Sequence, residues 1–416
     1  MSRHTADVVV IGAGILGAAA AHYLSRAGQR VVVFDRGAPN REGSGTTAGN
    51  LHIQAIHPSR PGQEVPADNG RFLPLQVAVS DMWESVELEL ETSVELRRHG
   101  GFMIAETPHE YAELRAKQAM EAAAGLPTEL LDGDAAREAL PLLSRTVVGA
   151  TWCALDGYAN PLKITPAYLA SARRHGAQIH GYTPVTGIAA TRSGWRVTAG
   201  GDTYDAPAVI NVAGPWIAQV ARLAGIRLRM TPVAIQMHVT PRMPETMRHL
   251  VQHIGEGMSV KQVTAGNVLI GGGWPALRLD LDGRSVASVR SAGGNLALAA
   301  RVLPFLSGVR LLRVWAGPLA ATPDELPVIG EVPGAPGFFV AGGTYAFTLA
   351  PLWGETLCRL VAGESPRVQV SDLGPDRLLI DTQSDELDLV ANQERALEGA
   401  VRDSVQQGST RRKEQA

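Results

Sequence analysis

The sequence predicts a mixed α/β fold in which a parallel sheet flanked by helices is interleaved with a mostly antiparallel sheet. Three observations support this prediction. The apolar run DVVVIG meets a glycine-rich turn near the N-terminus, and runs of the same buried-strand type recur near residues 205–216 and 338–362. Several further β-rich runs lie between them, across residues 226–330. A chain of 416 residues is long for one average domain, so two interleaved domains are expected.

Composition excludes several functional classes. Hydrophobic residues make up 45% and charged residues 19% of the chain, which is ordinary for a soluble enzyme. A formal net charge of −3 offers no basic face for nucleic acid, and no apolar run reaches the roughly 20 residues of a membrane span. The two cysteines, Cys153 and Cys358, predict no disulfide framework and a cytoplasmic location. Because no histidine or cysteine pair has a ligand spacing, no metal site is expected.

The first element is a strand–turn–helix motif, VVVIGAGILG, with glycines at 12, 14 and 17. Gly12 permits the tight turn, Gly14 allows close approach to a pyrophosphate, and Gly17 lets the helix pack on the strand. The N-terminus of the helix then faces the phosphates. Asp35 ends the next strand, QRVVVFDR, where a carboxylate can bind ribose hydroxyls and would repel the 2′-phosphate of NADP. The motif therefore predicts an adenine dinucleotide, either NAD or FAD.

The later elements follow from periodicity and turn residues. The loop GAPNREGSGTTAGN is rich in small residues, and residues 74–124 show two amphipathic helical stretches separated by the strand GFMIAE. ITPAYLASARRHGAQIH predicts a helix that runs into a strand, and WRVTAGGDTYDAPAVINVAG predicts a hairpin followed by a buried strand. A helix is expected around residues 285–304, and APLWGETLCRLVAG is the closing helix. Residues 375–416 are polar and predict a mobile or partner-contacting tail.

From Gly12 to about Gly363 the sequence resembles the D-amino-acid-oxidase-like superfamily of FAD-dependent amine oxidoreductases. This group includes glycine oxidase, sarcosine oxidase, and the β subunits of heteromeric sarcosine oxidase, proline dehydrogenase and opine oxidase. Five motifs carry the resemblance in order: VVVIGAGILG…VVVFDR, GSGTTAGN, TPVTGI, AVINVAGPW and WAGPLAATPDELPVIGEVPGAPGFFVAGGTYAFTLAPLWGE. The resemblance implies a discontinuous Rossmann-like FAD-binding domain and an interleaved antiparallel-sheet substrate-binding domain. The first comprises residues 1–75, 145–220 and 325–370, and the second comprises residues 76–144 and 221–324.

The same resemblance implies that FAD is the cofactor. Neither cysteine lies in an attachment motif of the family, so the FAD is expected to be bound without a covalent link. Residues of the GSGTTAGN loop would bind the pyrophosphate and pass under the flavin, while the loop before the last helix would face the flavin pyrimidine edge, where negative charge grows. The predicted cofactor-binding residues are Gly12, Gly14, Ile15, Leu16, Gly17, Asp35, Arg36, Gly45, Thr46, Thr47, Ala48, Gly49, Asn50, Leu51, Val185, Ala213, Gly214, Trp216, Gly343, Thr344, Tyr345, Ala346, Phe347 and Thr348.

On the substrate side, the resemblance implies oxidation of a C–N bond next to a carboxylate. A hydride passes to flavin N5, and the resulting imine hydrolyses to a keto acid and an amine. Several members hold the carboxylate with an arginine just after the WAG-type segment, where this chain has Leu319, so this anion clamp is absent or has moved. The candidate substrate-site residues are His52, Lys261, Trp274 and Arg313, with Gln54, Gln236 and His238 as further candidates. As alternatives, Trp274 is a core aromatic, and Lys261, Arg313, Gln236 and His238 are exposed strand residues.

A second departure concerns the electron acceptor. Thr348 stands where the β subunits of heteromeric sarcosine oxidase have a lysine that aids the reaction with oxygen. This favours a dehydrogenase that passes electrons to a quinone or to FAD- or iron–sulfur-carrying partner subunits. The expected substrate is a small amino-acid-like secondary amine, such as an opine, a proline or hydroxyproline derivative, or an N-methyl amino acid. Two alternatives stay open: a non-catalytic FAD-binding or electron-relay subunit of a heteromeric complex, and an NAD-dependent dehydrogenase.

Overall fold

The computed structural model describes residues 2–55, 73–279 and 285–380. The strands are β1 (Arg3–Thr5), β2 (Val8–Ile11), β3 (Val31–Phe34), β4 (Asn50–Leu51), β5 (Gly101–Ala105), β6 (Thr128–Asp132), β7 (Gly149–Cys153), β8 (Gly157–Tyr158), β9 (Gln178–His180), β10 (Val185–Thr191), β11 (Gly194–Ala199), β12 (Asp202–Ala206), β13 (Ala208–Asn211), β14 (Thr231–Arg242), β15 (Leu250–His253), β16 (Ser259–Gln262), β17 (Asn267–Gly271), β18 (Arg278–Leu279), β19 (Ser285–Val286), β20 (Arg313–Ala321), β21 (Val328–Glu331) and β22 (Phe338–Gly342). The helices are α1 (Ile15–Arg26), α2 (Gly43–Thr46), α3 (Leu73–Leu90), α4 (Pro108–Ala123), α5 (Gly133–Ala139), α6 (Pro161–Arg174), α7 (Ile217–Leu223), α8 (Val289–Val302) and α9 (Ala350–Val361).

A six-stranded sheet in the order β21-β22-β13-β2-β3-β9 forms the first layer. All neighbouring pairs are parallel except β21 with β22, which is antiparallel. Its central strand β2 is buried on both faces because alternate side chains enter different cores. Val8 and Val10 pack on the helical side with α1, α6 and α9, whereas Val9 and Ile11 pack with the small sheet formed by β1 and β10–β12.

An eight-stranded mixed sheet in the order β20-β14-β17-β16-β15-β5-β7-β6 forms the second layer. Its neighbouring strands are antiparallel except β15 with β5. Val251 and Val260 are paired across β15 and β16 and pack with Leu298 of α8, on the side away from the six-stranded sheet. Because side chains alternate along a strand, Gln252 and its register partner Ser259 lie on the opposite face. That face points toward the six-stranded sheet.

Helix starts follow the capping chemistry in the sequence. Thr107 and Glu110 form a capping box at the start of α4, where each side chain accepts a hydrogen bond from the backbone amide of the other. Asn160 caps α6 by accepting a hydrogen bond from the Leu162 amide at 2.9 Å. This cap starts α6 at Pro161, so Pro166 lies inside the helix.

The predicted fold class is confirmed, but two elements lie on the other side of the predicted domain division. Strand β7 falls within residues 145–220, yet it pairs with β5 and β6 in the eight-stranded sheet. Most of α3 falls within residues 76–144, yet α3 packs against α9 and α6 over the six-stranded sheet. Hydrophobic runs show that a strand or helix is buried but do not show which sheet it joins, which explains both differences.

The predicted polar tail is packed at its beginning. Arg377 donates to the Asp324 carboxylate at 2.6 Å and to the Pro327 carbonyl at 2.9 Å, and the side chains of Leu378 and Ile380 are buried. The remainder of the predicted tail, residues 381–416, lies outside the described residues. Across the described part of the chain, no helix combines the length and the apolar character that spanning a membrane requires.

Candidate active site

A cavity of about 980 Å³ lies between the two sheets and is lined by residues from both. The predicted cofactor-binding residues that line it are Gly12, Gly14, Ile15, Leu16, Asp35, Arg36, Thr46, Thr47, Ala48, Asn50, Val185, Ala213, Gly214, Trp216, Gly343, Thr344, Tyr345, Ala346, Phe347 and Thr348. The structure therefore brings residues of all five sequence motifs to one cavity.

The glycine-rich turn after β2 is a tight backbone crossing. Gly12 has a φ of +108°, and a Cβ atom there would lie 2.6 Å from the Val212 carbonyl oxygen. A Cβ atom on Gly17 would lie 1.8 Å from the Gly12 carbonyl oxygen, so neither position leaves room for a side chain. The Asp35 carboxylate accepts hydrogen bonds from the amides of Ala13 and Gly37, both at 2.8 Å, and burial raises its pKa. Asp35 thus joins β3 to the turn at the edge of the cavity.

The N-terminus of α1 opens into the cavity. The N-cap residue, Gly14, has no side chain to accept from the first-turn amides, and the Ile15 amide donates to the Ser44 Oγ atom at 2.9 Å. No acidic residue lies in the first turn of the helix. Amides at a helix start carry partial positive charge, so this end of the cavity fits a pyrophosphate.

The far end of the cavity beyond Asp35 presents flat surfaces. The Arg36 guanidinium carbon lies 3.7 Å from the ring centroid of Trp216, which follows β13. Val185 begins β10 and lines the same end together with Pro184. Flat aromatic, guanidinium and aliphatic surfaces of this kind suit the faces of an adenine ring.

The small-residue loop around α2 is held against β20. The Trp315 indole nitrogen donates to the Thr46 carbonyl at 2.8 Å. A Cβ atom on Gly317 would lie 2.1 Å from the Thr46 Oγ1 atom, and one on Gly43 would lie 2.5 Å from the Pro318 carbonyl oxygen. This loop, residues 43–50, is called the flavin loop below. Its close approach to β20 requires glycine on both sides.

The turn before α9 closes the cavity from the six-stranded sheet. Tyr345 has a φ of +59°, a left-handed conformation that is uncommon for a residue with a side chain. The Trp83 indole donates to the Thr348 carbonyl at 2.8 Å, and the His52 amide donates to the Thr348 hydroxyl at 3.2 Å. Thr348, which the sequence singled out as replacing a lysine, therefore connects this turn to the segment after the flavin loop.

Buried charges fix the backbone immediately after His52. The Asp156 carboxylate accepts hydrogen bonds from the amides of Ile53 and Gln54, at 2.8 and 2.9 Å. Glu121 accepts from the Ala55 amide at 2.6 Å and forms a buried ion pair of 2.7 Å with Lys117. The Gln54 side chain bonds to Asp156 and Lys117 rather than lining the cavity. These contacts set the path of residues 53–55, and with it the position of His52.

Burial raises the pKa of Asp156 from an ordinary value of 3.8 to about 6, which gives a pH-dependent prediction. A carboxyl group whose pKa is higher in the folded protein stabilises the fold below the unfolded pKa, and this contribution is lost as the pH rises through the folded value. The difference in unfolding free energy between the parent protein and Asp156→Asn should therefore shift in favour of the parent, by about 2 kcal/mol, from pH 7 to pH 4. Urea unfolding at several pH values measures this difference.

Asp202 offers the control for this experiment. It lies at the surface, and a hydrogen bond from the Ser2 amide, followed by His4, lowers its pKa. Asp202→Asn should therefore show a pH dependence of the opposite sign. If the difference in unfolding free energy between the parent protein and Asp156→Asn stays constant from pH 4 to pH 7, the pKa of Asp156 is not raised in the folded protein.

The eight-stranded sheet forms the wall that faces the flavin loop. Its cavity-lining side chains include Ile235 and Met237 of β14, Gln252 of β15, Ser259 of β16 and Leu319 of β20. Leu319, at the position where the resemblance implied an arginine, thus contributes an apolar side chain to the cavity wall. The wall is largely apolar, and its polar side chains are concentrated on β15 and β16.

His52 and Lys261 meet at the flavin loop. Lys261 is buried on β16, and its ammonium nitrogen donates to the Ala48 carbonyl and to the Asn50 side-chain oxygen. Burial lowers the pKa of Lys261 well below its usual value. Burial, together with the nearby Lys261, also lowers the pKa of His52 to about 3, so the imidazole is neutral at physiological pH. Lys261 supports the loop from behind, whereas His52 lines the cavity.

Two other candidate substrate residues do not reach the cavity. Arg313 is exposed at the start of β20, and Trp274 donates from its indole nitrogen to the Gly257 carbonyl at 2.5 Å while packing beside Gly294 of α8. Neither is among the described cavity-lining residues. Trp274 therefore supports the loop that contains Gly257 instead of facing a substrate.

Gln236 and His238, the further candidates on β14, point to the other face of their strand. Gln236 bonds to Ser288 before α8, and His238 bonds to the Ile270 carbonyl.

Four predicted cofactor-binding residues do not line the cavity: Gly17, Gly45, Gly49 and Leu51. Of these, Gly45 and Gly49 sit against the carbonyl oxygens of Asn40 and Ala159, so their role in the fold is close backbone packing.

One polar cluster at the cavity rim was not found from the sequence. The possible ligand atoms of Glu106, His253 and Glu256 lie within 4.8 Å of one another. Arg301 forms ion pairs with both carboxylates, at 2.6 Å to Glu106 and 2.5 Å to Glu256, so a positive charge already occupies the centre of the cluster. Glu106 follows β5, His253 and Glu256 lie at the end of β15 and in the turn after it, and Arg301 lies on α8, so the sequence does not show that these three segments meet.

The residues present fit a bound FAD. Gly12, Gly14 and Gly43 line the cavity with backbone that carries no side chain. They lie next to the N-terminus of α1, where backbone amides are exposed to the cavity. These features suit a pyrophosphate, and the flat end near Trp216 suits adenine. The flavin loop and the turn at residues 343–348 line the opposite end, where a ring system would lie between the two sheets.

Comparisons with known proteins agree with this geometry. The family described as "FAD dependent oxidoreductase" matches residues 7–360. The chain is 28% identical to glycine oxidase of Geobacillus kaustophilus over 367 residues, covering 86% of this chain and 93% of the relative. A crystal structure of glycine oxidase from that organism superposes with a TM-score of 0.78 at 25% identity, covering 90% of this chain and 99% of that one.

Two further relatives cover most of this chain. The identity to hydrogen cyanide synthase subunit HcnC of Pseudomonas aeruginosa is 29% over 407 residues, covering 87% of this chain and 94% of the relative. The identity to mitochondrial dimethylglycine dehydrogenase of Mus musculus is 24% over 396 residues, covering 90% of this chain and 44% of that longer protein. The family match confirms the predicted FAD cofactor, and with the cavity just described it shows that this chain belongs to the family of FAD dependent oxidoreductases.

Proposed function

We propose that this protein oxidises a small amino-acid-type amine, and that the substrate is N-substituted: an opine, a proline or hydroxyproline derivative, or an N-methyl amino acid. The observation that carries the proposal is the cavity itself, which has a dinucleotide cradle at one end and a mostly apolar wall with a few polar groups at the other. Glycine and dimethylglycine, the compounds in the names of two relatives, are amino acids, which supports this substrate class.

Bound FAD supplies a hydride acceptor, which permits oxidation of the C–N bond to an imine that water then hydrolyses. The protein's own contribution is to bind and orient the amine and to exclude water from the site. Ile235, Met237 and Leu319 provide apolar surface for the substrate's carbon chain. The neutral imidazole of His52 offers hydrogen bonding without a charge that would repel a protonated amine.

We also propose that electrons leave through a partner subunit or a quinone rather than through oxygen. Thr348 stands at the position of the lysine found in related β subunits, and Lys261, which reaches the flavin loop, is buried so that its neutral form is favoured. A relative that is named as a subunit, HcnC, supports an assembly with partner chains. In the alternative of a non-catalytic, electron-relaying subunit, amine substrates would not reduce the flavin.

An anaerobic titration tests the proposal. The purified yellow protein is mixed with both enantiomers of proline and hydroxyproline, with octopine and nopaline, and with N-methylglycine, while flavin absorbance is followed. We expect at least one compound to bleach the flavin, and the reduced protein to be reoxidised faster by a quinone or dye than by air. If dithionite bleaches the flavin but no amine does, the non-catalytic alternative is favoured. Rapid reoxidation by air would contradict the proposed acceptor.

A further inference from the structure

Within the described part of the chain, one polar atom of the cavity wall, on the side chain of Gln252, lacks a hydrogen-bond partner. Gln252 lines the cavity from β15 and is only 3% exposed, and its Nε2 atom has no hydrogen-bond partner among the described residues. Buried side-chain amides are nearly always hydrogen-bonded, because an unsatisfied buried donor is costly. The unpaired donors of Gln252 therefore indicate a bound group that supplies acceptors.

The strand register directs Gln252 toward the flavin loop. Gln252 pairs with Ser259, and the Ser259 hydroxyl accepts a hydrogen bond of 3.2 Å from the Asn50 side chain at the end of that loop. Lys261, two residues farther along β16, contacts the same loop. Gln252 consequently belongs to the row of side chains that faces the flavin loop, not to the row that packs on α8.

A second unpaired atom lies beside Gln252. The Nδ1 atom of His52 is buried without a partner, and the Gln252 side chain interacts with the His52 imidazole. The ring of Tyr345 lies edge-on to His52, with 6.5 Å between the ring centroids. Two elements, β15 and the segment after the flavin loop, thus bring unsatisfied polar atoms to one corner of the cavity.

The charges of the surrounding wall define what this corner can bind. The described lining residues between 235 and 273 and between 317 and 320 include no lysine or arginine, and Leu319 adds apolar surface. The carboxylate among them, Glu256, is paired with Arg301 at 2.5 Å. Neutral N–H donors can nevertheless bind a carboxylate, because hydrogen bonds to a charged acceptor are stronger than those between neutral groups. The side-chain amide of Gln252 can serve as such a donor. The neutral imidazole of His52 has one N–H and can donate it when the proton is on the ring nitrogen that faces the ligand.

We propose that Gln252, with His52 beside it, binds the carboxylate of the amine substrate through neutral hydrogen-bond donors. This inference rests on the proposed function and names the recognition element of that site. Gln252 is a specificity residue: it holds the carboxylate while the C–N bond lies over the flavin, and it takes no part in the transfer of the hydride. Removing it should weaken binding more than it slows turnover.

The test compares Gln252→Leu with the parent protein, using the substrate found in the flavin titration and its carboxamide analogue. For the carboxylate substrate we expect KM to rise about 10- to 100-fold with little change in kcat, which is the loss expected for hydrogen bonds to a charged group. For the carboxamide we expect a smaller change, about 2- to 10-fold, because hydrogen bonds between neutral groups contribute less than those to a charged group. Gln252→Glu should weaken carboxylate binding still further by repulsion. Gln178→Leu is the control, because this glutamine is exposed on β9 and does not line the cavity.

A binding measurement separates failure of this inference from failure of the proposed function. Propionate is titrated into each oxidised holoprotein, with FAD content and melting temperature checked first, and the change in flavin absorbance gives Kd. Weaker propionate binding in Gln252→Leu, with binding unchanged in Gln178→Leu, supports the inference even if no amine reduces the flavin. Equal Kd values in the parent protein and Gln252→Leu, or equal losses for carboxylate and carboxamide, overturn it.

Discussion

Gly12→Ala is expected to yield protein that does not retain FAD. Alanine at this position would adopt a φ of +108°, and its Cβ atom would lie 2.6 Å from the Val212 carbonyl oxygen. The backbone conformation alone costs about 1–3 kcal/mol. The contact adds to this cost, because the atom in the way belongs to the backbone of the chain that follows β13 and cannot rotate aside. The turn must therefore shift, and it holds the amides that face the pyrophosphate.

Gly28→Ala is the matched control for this prediction. Gly28 also has a positive φ, +84°, but a Cβ atom there meets nothing within 4 Å. The control should be destabilised only by the unfavourable backbone conformation of alanine at this position, and it should keep its yellow colour. The ratio of absorbance at about 450 nm to protein absorbance after gel filtration, together with apoprotein titration with FAD, measures the difference. A Gly12→Ala protein with full flavin content would contradict the assignment of this turn.

Gly317→Ala is expected to weaken FAD binding at least about tenfold, through displacement of the flavin loop. A Cβ atom at position 317 would lie 2.1 Å from the Thr46 Oγ1 atom and 2.8 Å from its Cβ atom. Rotation of the threonine relieves only the first contact. Because Trp315 also holds the Thr46 carbonyl, the loop cannot retreat without breaking that hydrogen bond. The measurement is the Kd of the apoprotein for FAD, from flavin fluorescence quenching.

A compensating substitution makes this prediction specific. Thr46→Gly removes the atoms that the new methyl group would meet, so Gly317→Ala combined with Thr46→Gly should recover FAD affinity relative to Gly317→Ala alone. Thr46→Gly by itself reports the cost of losing the threonine. If the double variant binds FAD no better than Gly317→Ala, the close approach of the loop to β20 is not the cause of the loss.

The cofactor half of the site could be predicted because its motifs are local. Gly12, Gly14 and Asp35 lie on one strand–helix–strand unit, where residue type and spacing report backbone geometry directly. Trp216 and Phe347 lie in later motifs, and the resemblance connected them to the same ligand before any contact was known. The structure places all five beside one cavity.

The substrate half could not be predicted in the same way. It is built on the eight-stranded sheet, where function depends on which face a side chain occupies and on which strands are neighbours. Gln236 and His238 seemed suitable from their chemistry but point toward α8, and Arg313 is exposed. Gln252, in the strand LVQH, was not predicted as a site residue. The sequence does not show which face of the sheet its side chain occupies, nor that its side-chain amide nitrogen lacks a hydrogen-bond partner. A shift of one residue along a strand would have reversed each of these assignments.

The order of strands in the six-stranded sheet has a consequence for synthesis on the ribosome. Strand β2 is translated among the first residues, yet its neighbour β13 is made about 200 residues later, and β22 later still. A nascent chain that has emerged only as far as β9 can pair β2 with β3 but leaves the other edge of β2 open. Capture of the cofactor during translation must therefore wait until nearly the whole polypeptide has emerged, and until then the exposed edge depends on chaperones for protection against aggregation.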